Sequence, residues 1–209
     1  RLMARFLVTA GPTREALDPV RYLSNRSSGK MGYAICDALI TAGHEVVLVS
    51  GPTALESPAN ADVLQVESAQ EMHEACARQW QYCDALFAVA AVSDYRPSAA
   101  QSQKIKRVND ALSIELVANL DIVKDLAATK GERLVVGFAL ESENGEQHAR
   151  QKLESKNLDF ICLNAPQAQG ADVSELTVFS RDTKWQVGPC TKATLATELV
   201  EVILENSNV

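Results

Sequence analysis

Hydrophobic positions fall in two rhythms along the chain. Short solid apolar runs, bounded by glycine, proline or asparagine, alternate with longer stretches whose apolar residues recur every three or four positions. The first run, Phe6-Leu7-Val8-Thr9-Ala10, reads as a buried strand over residues 3–10 that breaks at Gly11-Pro12. After a polar loop, Met31, Ala34, Ile35, Ala38 and Leu39 keep helical spacing over residues 28–42, with Gly43 as the C-cap. Glu45–Ser50 reads as a second strand closed by Gly51-Pro52, so the first fifty residues predict a right-handed βαβ unit.

The alternation continues with a third short strand at 62–66, a helix at 69–81 and a strongly apolar fourth strand at 84–92. Then it fails. Residues 98–109 are polar and basic, with Lys104-Ile105-Lys106-Arg107 inside them. Leu112-Ser113-Ile114-Glu115-Leu116 alternates as an exposed or half-buried strand. Residues 97–118 therefore read as an arm or flap inserted in the sheet domain. Beyond it, Asn119-Leu120-Asp121 caps a helix running to about residue 129, and 134–138 reads as a fifth core strand. An amphipathic helix at 144–156, a strand at 158–163, a hairpin of 175–179 with 184–187, and a last helix at 191–205 complete the chain. Strands alternating with helices predict a single α/β domain over 1–209, built on a doubly wound, mainly parallel sheet.

Composition narrows the function. The 209 residues, 46% of them hydrophobic, suffice for such a domain with a sizeable core. A net charge of −7 weighs against a nucleic-acid partner, which calls for a basic face. No signal peptide is visible and no apolar run is long enough to span a bilayer, so the expectation is a cytoplasmic protein without a membrane partner. Five scattered cysteines without a C-x-x-C pair, and three distant histidines without H-E-x-x-H, predict a reducing compartment, no disulfide framework and no zinc site. The opening Arg1-Leu2-Met3 does not look like a natural initiation, and suggests a piece of a longer chain.

In doubly wound sheets, ligands sit outside the carboxyl ends of the strands. Three strand ends carry polar groups: Gly11-Pro12-Thr13-Arg14, Ser93-Asp94-Tyr95-Arg96 and Gly137-Phe138-Ala139-Leu140-Glu141. The first helix opens with Ser27-Ser28-Gly29-Lys30. Ser27 or Ser28 can cap it, the glycines let a ligand approach the backbone, and its free N–H groups make an anion site. The stretch is not a Walker A loop, because Ser24 and Met31 stand where Gly and Ser or Thr are required. Nor is it the dinucleotide fingerprint, of which only Gly29-x-x-Gly32 remains. A glycine-rich turn opening an ordinary helix fits these residues about as well. Asp94, at the rim after an apolar run, suits a ribose, a base amine or a hydrated metal; a turn cap is the plainer alternative. Lys104, Lys106 and Arg107 on the flap, with Lys152 and Lys156 on one helical face, invite a polyphosphate in an acidic protein. For Lys106 and Arg107 alone a solvated face is the better account.

Five stretches together resemble the bacterial phosphopantothenoylcysteine synthetase family. They are Ala-Gly-Pro-Thr-Arg-Glu-x-Leu-Asp-Pro-Val-Arg at 10–21, Ser-Asn-Arg-Ser-Ser-Gly-Lys-Met-Gly at 24–32, Ala-Ala-Val-Ser-Asp-Tyr at 90–95, Lys-Ile-Lys at 104–106 and Lys-Asn-Leu-Asp at 156–159. The resemblance covers essentially the whole chain. It implies a Rossmann-like, doubly wound α/β fold with an inserted flap that serves as a dimerisation arm, and a C-terminal hairpin. It implies a ligase of coenzyme A biosynthesis that joins 4′-phosphopantothenate to L-cysteine through an acyl-cytidylate, converting CTP to CMP and pyrophosphate. Mg²⁺ is then bound mainly through the nucleotide phosphates, with no protein metal site. The family is homodimeric, and in most bacteria an FMN-dependent decarboxylase domain precedes this half.

The same resemblance assigns residues. Asn25 matches an asparagine that contacts the acyl-cytidylate and assists its conversion, and Lys104 matches a flap lysine needed for the second half-reaction. Asp94 matches a nucleotide-contacting aspartate. Leu120, Asp121, Ile122 and Val123 match a nucleotide loop that usually begins with proline, from which Leu120 departs. Lys104 is also matched as a CTP contact, and Ala90, Phe138, Lys152 and Lys156 match the remaining ones. Gly11, Ser27, Ser28, Gly29 and Lys30 belong to the opening motif and take a substrate or phosphate role. Two other functions fit the fold less well. An NAD(P)-dependent reductase lacks its fingerprint here and an acidic residue closing the second strand. A nucleotide sensor without catalysis would need neither Asn25 nor Lys104.

Overall fold

Apolar runs with no polar face are satisfied only inside a sheet covered on both sides. The computed structural model describes residues 3–107, 111–141, 144–164 and 173–209. In chain order its elements are β1 (Arg5–Ala10), β2 (Arg14–Ala16), β3 (Tyr22–Ser24), α1 (Lys30–Thr41), β4 (Glu45–Ser50), β5 (Asp62–Gln65), α2 (Ala69–Trp80), β6 (Ala85–Ala88), β7 (Tyr95–Pro97), β8 (Leu116–Ala118), α3 (Ile122–Ala128), β9 (Leu134–Leu140), α4 (Gly145–Ser155), β10 (Phe160–Asn164), β11 (Val173–Phe179), β12 (Lys184–Thr191) and α5 (Lys192–Glu205).

Eight strands form one sheet in the order β12-β11-β10-β9-β6-β1-β4-β5. From β5 to β10 every pairing is parallel, and the β11–β12 hairpin is added antiparallel at β10. The period of two sorts side chains between two cores. Phe6 and Val8 of β1 face α1 and α5, whereas Leu7 faces α2, α3 and α4. Each such fully buried side chain contributes roughly 1.5–3 kcal/mol. The doubly wound α/β sheet and its C-terminal hairpin are as the residue pattern predicts. No described helix is long and apolar enough to cross a membrane. Cys36, Cys76, Cys83 and Cys162 are buried in these cores, and burial pushes the Cys83 thiol up to about 11 and that of Cys76 up to about 12.

Several expectations are corrected. The helix expected from residue 28 begins at Lys30, and neither Ser27 nor Ser28 caps it. The N-cap is Gly29, left-handed with φ 78°, and the Ser27 hydroxyl instead accepts from the Gly29 N–H at 3.3 Å. Its far end has Ala42 as the C-cap, with Gly43 (φ 89°) one residue beyond. The fourth strand stops at Ala88 rather than at 92. From Val89 the chain leaves β9 and follows the continuation of β1, with Val89 N–H donating to Thr9 O and Ala91 N–H to Gly11 O. The polar loop after β1 contains a small hairpin, β2 with β3.

The flap is rooted in a two-stranded pairing of β7 with β8. The strand expected at 112–116 is displaced, since β8 begins only at Leu116. Leu112, Ile114 and Leu116 are all exposed, so among the described residues the alternating pattern buries no face. Residues 108–110 of the flap, and Arg1 and Leu2 of the opening, lie outside the described residues.

Candidate functional site

β1 and β6 are neighbours, but the chain leaves them in different directions. β1 feeds α1 and β4 on one side, and β6 feeds the flap and α3 on the other. A crevice must open beyond their carboxyl ends. There the structure has a cleft of about 780 Å³.

One wall is the N-terminus of α1. It has neither a side-chain cap nor an acidic residue in its first turn, so its positive end stays open. The glycines here have a packing reason. A Cβ on Gly29 would come within 2.7 Å of Thr53 Cγ2, and one on Gly32 would sit 2.5 Å from Ala10 Cβ. Chain-on-chain contact therefore requires them where ligand approach was the expectation.

Asn25 follows the β2–β3 hairpin. Its Nδ2 donates to Ala91 O at 3.0 Å, and the neighbouring Ser24 hydroxyl donates to Thr13 O at 2.7 Å. The opposite wall, Ala90 to Asp94, is held by threonines. Thr9 Oγ1 accepts from Ala90 N–H at 3.2 Å, and the buried Thr13 Oγ1 accepts from Ser93 N–H at 3.0 Å. Asn119 braces the same turn, donating from Nδ2 to Ser93 O at 2.8 Å. The exposed Asp94 carboxylate makes no hydrogen bond or ion pair among the described residues.

The third wall comes from α3, β9 and α4. Asp121 caps α3 by accepting from Lys124 N–H at 3.1 Å, and it pairs with Lys156 at 2.8 Å. Burial works against ionisation of Asp121, but Lys156 and the Lys124 N–H outweigh it and hold its carboxyl below the usual range. Glu141 pairs with Lys152 at 2.6 Å and lies 3.3 Å from His148 Nδ1. Lys152 is the main cause that holds the Glu141 carboxyl low. Both lysines are thus fixed in place by carboxylates rather than extended into solvent.

Gly11, Asn25, Ser27, Ser28, Gly29, Lys30, Ala90, Asp94, Leu120, Asp121, Ile122, Val123, Phe138, Lys152 and Lys156 all line this one cleft. Lys104 does not. It is exposed on the flap, next to Ile105, whose backbone is bonded to Asp18 and Arg21. Sequence reasoning missed Asn164, Leu176 and Lys192, which also line the cleft, and the positioning parts played by Thr9, Thr13, Asn119 and Glu141. Glu141 had a legible signal, an acid closing a core strand as Asp94 does; Lys192 had none. An open helix end, four lysines and a fixed amide can hold a polyphosphate beside a second anion and donate to a developing oxyanion.

The family model of the DNA/pantothenate metabolism flavoprotein C-terminal domain matches residues 3–206. The coenzyme A biosynthesis bifunctional protein CoaBC of Vibrio cholerae is 45% identical over 208 residues, which cover 96% of this chain and 52% of that protein. The chain spans about half the length of the curated relatives it matches. A crystal structure of the C-terminal domain of CoaBC is 40% identical with a TM-score of 0.84, covering 98% of this chain and 97% of that one. The DNA/pantothenate metabolism flavoprotein from Streptococcus pneumoniae is 25% identical with a TM-score of 0.85, covering 97% and 99%.

Proposed function

Because the chain belongs to the DNA/pantothenate metabolism flavoprotein C-terminal domain family, we propose that it is the ligase half of a coenzyme A biosynthesis enzyme, joining 4′-phosphopantothenate to L-cysteine at the expense of CTP. One observation carries the reading: a single cleft gathers the open N-terminus of α1, Asn25, and Lys152 and Lys156 facing them. Activating a carboxylate with a nucleoside triphosphate brings two anions together, and this cleft supplies the positive groups that offset their repulsion.

In the first half-reaction the substrate carboxylate attacks the α-phosphorus, pyrophosphate leaves, and an acyl-cytidylate forms. The N–H groups of α1, with Lys30, Lys152 and Lys156, hold the phosphates. In the second, the cysteine amine attacks the acyl carbon and CMP leaves. The Asn25 amide, already fixed by Ala91 O, donates to the oxyanion that develops. It brings no titrating group to that step. Lys104 serves the transfer from the flap, closing over the intermediate.

The donor set suits Mg²⁺ carried mainly by the nucleotide. No group of three or more His, Cys, Asp or Glu among the described residues could hold a metal, and Asp94 is the one cleft carboxylate not committed to a lysine. Mg²⁺ takes one or two carboxylates plus phosphate oxygens and water, and it supplies charge neutralisation on the triphosphate.

Exposed Leu112, Ile114 and Leu116, alternating with period two, support pairing with a second copy in a homodimer. Buried free thiols suit a reducing cytoplasm. Spanning half of a bifunctional relative supports a fused decarboxylase half that carries FMN.

The test is release of pyrophosphate and CMP with 4′-phosphopantothenate present, comparing CTP with ATP, with and without cysteine. CMP turnover with CTP that requires cysteine is the expected result. No release with either nucleotide overturns the reading.

A further inference from the structure

We propose that Asp18 is a positioning residue, whose buried carboxylate clamps the flap at Ile105 and so sets where Lys104 stands relative to the cleft. The Asp18 side chain is fully buried, which costs free energy unless every oxygen is engaged. Its two oxygens have different work. Oδ1 accepts from the N–H groups of Val20 and Arg21, both at 2.9 Å, and builds the turn between β2 and β3. Oδ2 accepts from the Arg21 guanidinium and, at 3.0 Å, from the Ile105 N–H, 87 residues away in sequence. Arg21 Nη2 then donates to Ile105 O at 2.9 Å, so both polar groups of that one flap residue are held by one ion pair.

A third bond runs from Gln101 N–H to Leu17 O at 2.9 Å. Among the described residues, the 17–21 turn is the only part of the protein outside the flap to which residues 98–107 hydrogen-bond. Without the bonds from Asp18 and Arg21, only the Gln101 N–H to Leu17 O bond ties residues 98–107 to the protein outside the flap, among the described residues. The local turn needs only Oδ1, which an asparagine would also supply. The second oxygen is therefore the informative one, and Asp18→Asn replaces it with a donor that faces the Ile105 N–H and the guanidinium.

The catalytic consequence rests on the ligase reading of Lys104, whereas the clamp does not, and two measurements separate them. The first is trypsin cleavage after Lys106 and Arg107 in the ligand-free protein. Asp18→Asn should raise that rate at least tenfold. Ile105→Pro, which deletes the N–H and leaves the Asp18 turn untouched, should do the same, and it decides alone where Asp18→Asn fails to fold. An unchanged cleavage rate overturns the clamp.

The second measurement is turnover. Both variants should lower kcat for cysteine-dependent CMP release at least tenfold, with KM for CTP within about twofold and the single-turnover burst of pyrophosphate little affected. A raised KM for CTP with kcat unchanged overturns the positioning role. Lys104→Gln is run in parallel. If it transfers at the wild-type rate, the catalytic consequence falls with the reading of Lys104, and the cleavage result still stands for the clamp.

Discussion

The sheet rim that carries Asn25 and the flap that carries Lys104 are built in opposite ways. The rim is over-determined. Asn25 is tied to Ala91, Ser24 to Thr13, and Thr13 in turn to Ser93, all against buried strands. The flap root has two strands of three residues each, with Tyr95 and Leu116 exposed on it, and among the described residues its basic stretch hydrogen-bonds the protein outside the flap at a single turn. In the proposed reaction both groups serve the second step: Asn25 acts from the rigid part as a fixed donor, and Lys104 from the part with few buried contacts, where opening costs least. Two residues picked out by equally clear motifs are thus placed with very different stiffness.

The comparison is sharpest at Asn25. Asn25→Asp should leave pyrophosphate formation and lower cysteine-dependent CMP release about 100-fold or more, roughly 2.7 kcal/mol, as removal of an oxyanion donor does. Single-turnover CMP release measures it, and an unchanged rate would remove the role given to the rigid rim. Next comes the packing beneath the rim. Gly32→Val puts a side chain where even a Cβ would stand 2.5 Å from Ala10 Cβ, and should cost about 1–3 kcal/mol in urea unfolding. A silent substitution there would show that α1 is free to move and that the two regions differ less than their contacts suggest.

Lys152→Met should raise KM for CTP about tenfold, ~1.4 kcal/mol, with a smaller change in kcat, because it removes a phosphate partner from a fixed position. A fall in kcat alone would instead place Lys152 with the transfer step. The smallest effect is on pH. Lys152 holds the Glu141 carboxyl low, so its contribution to stability is present above the unfolded-state value and is lost as pH falls through the folded one. The wild-type Tm should therefore hold until the pH drops below the usual carboxylate range, about 4. In Lys152→Met that contribution is absent, so the variant's Tm should lie below the wild type's at neutral pH and the two curves should converge as pH falls below about 4; identical Tm–pH curves would mean the pair contributes nothing measurable.

Much of the architecture was legible because burial leaves a period. The solid runs became strands, Asp121 capped its helix, and the second strand fell where expected, over Glu45–Ser50. The errors share a cause. Residues 85–92 are apolar throughout, so no local signal marks where β6 parts from β9 after Ala88; that is set by Gly11 and the continuation of β1. The Leu112 to Leu116 alternation is a strand pattern of which, among the described residues, only the end at Glu115 and Leu116 pairs, with Ser98 and Pro97. Ser27 and Ser28 are good caps by type, yet Gly29 takes the position because only a residue without Cβ fits against Thr53.

By itself the sequence determined the alternation of elements and the doubly wound class, which follow from hydrophobic period; most residues around the cleft were given roles only through the resemblance of its motifs to a known family, and Asn164, Leu176 and Lys192 were not named at all. Only the tertiary structure decided that Lys152 and Lys156 are held by Glu141 and Asp121, and that Lys104 lies outside the cleft, beside a residue bound by Asp18. A period reports which face of an element is buried. It cannot report which distant residue it meets, because that pairing comes from the packing of the whole chain.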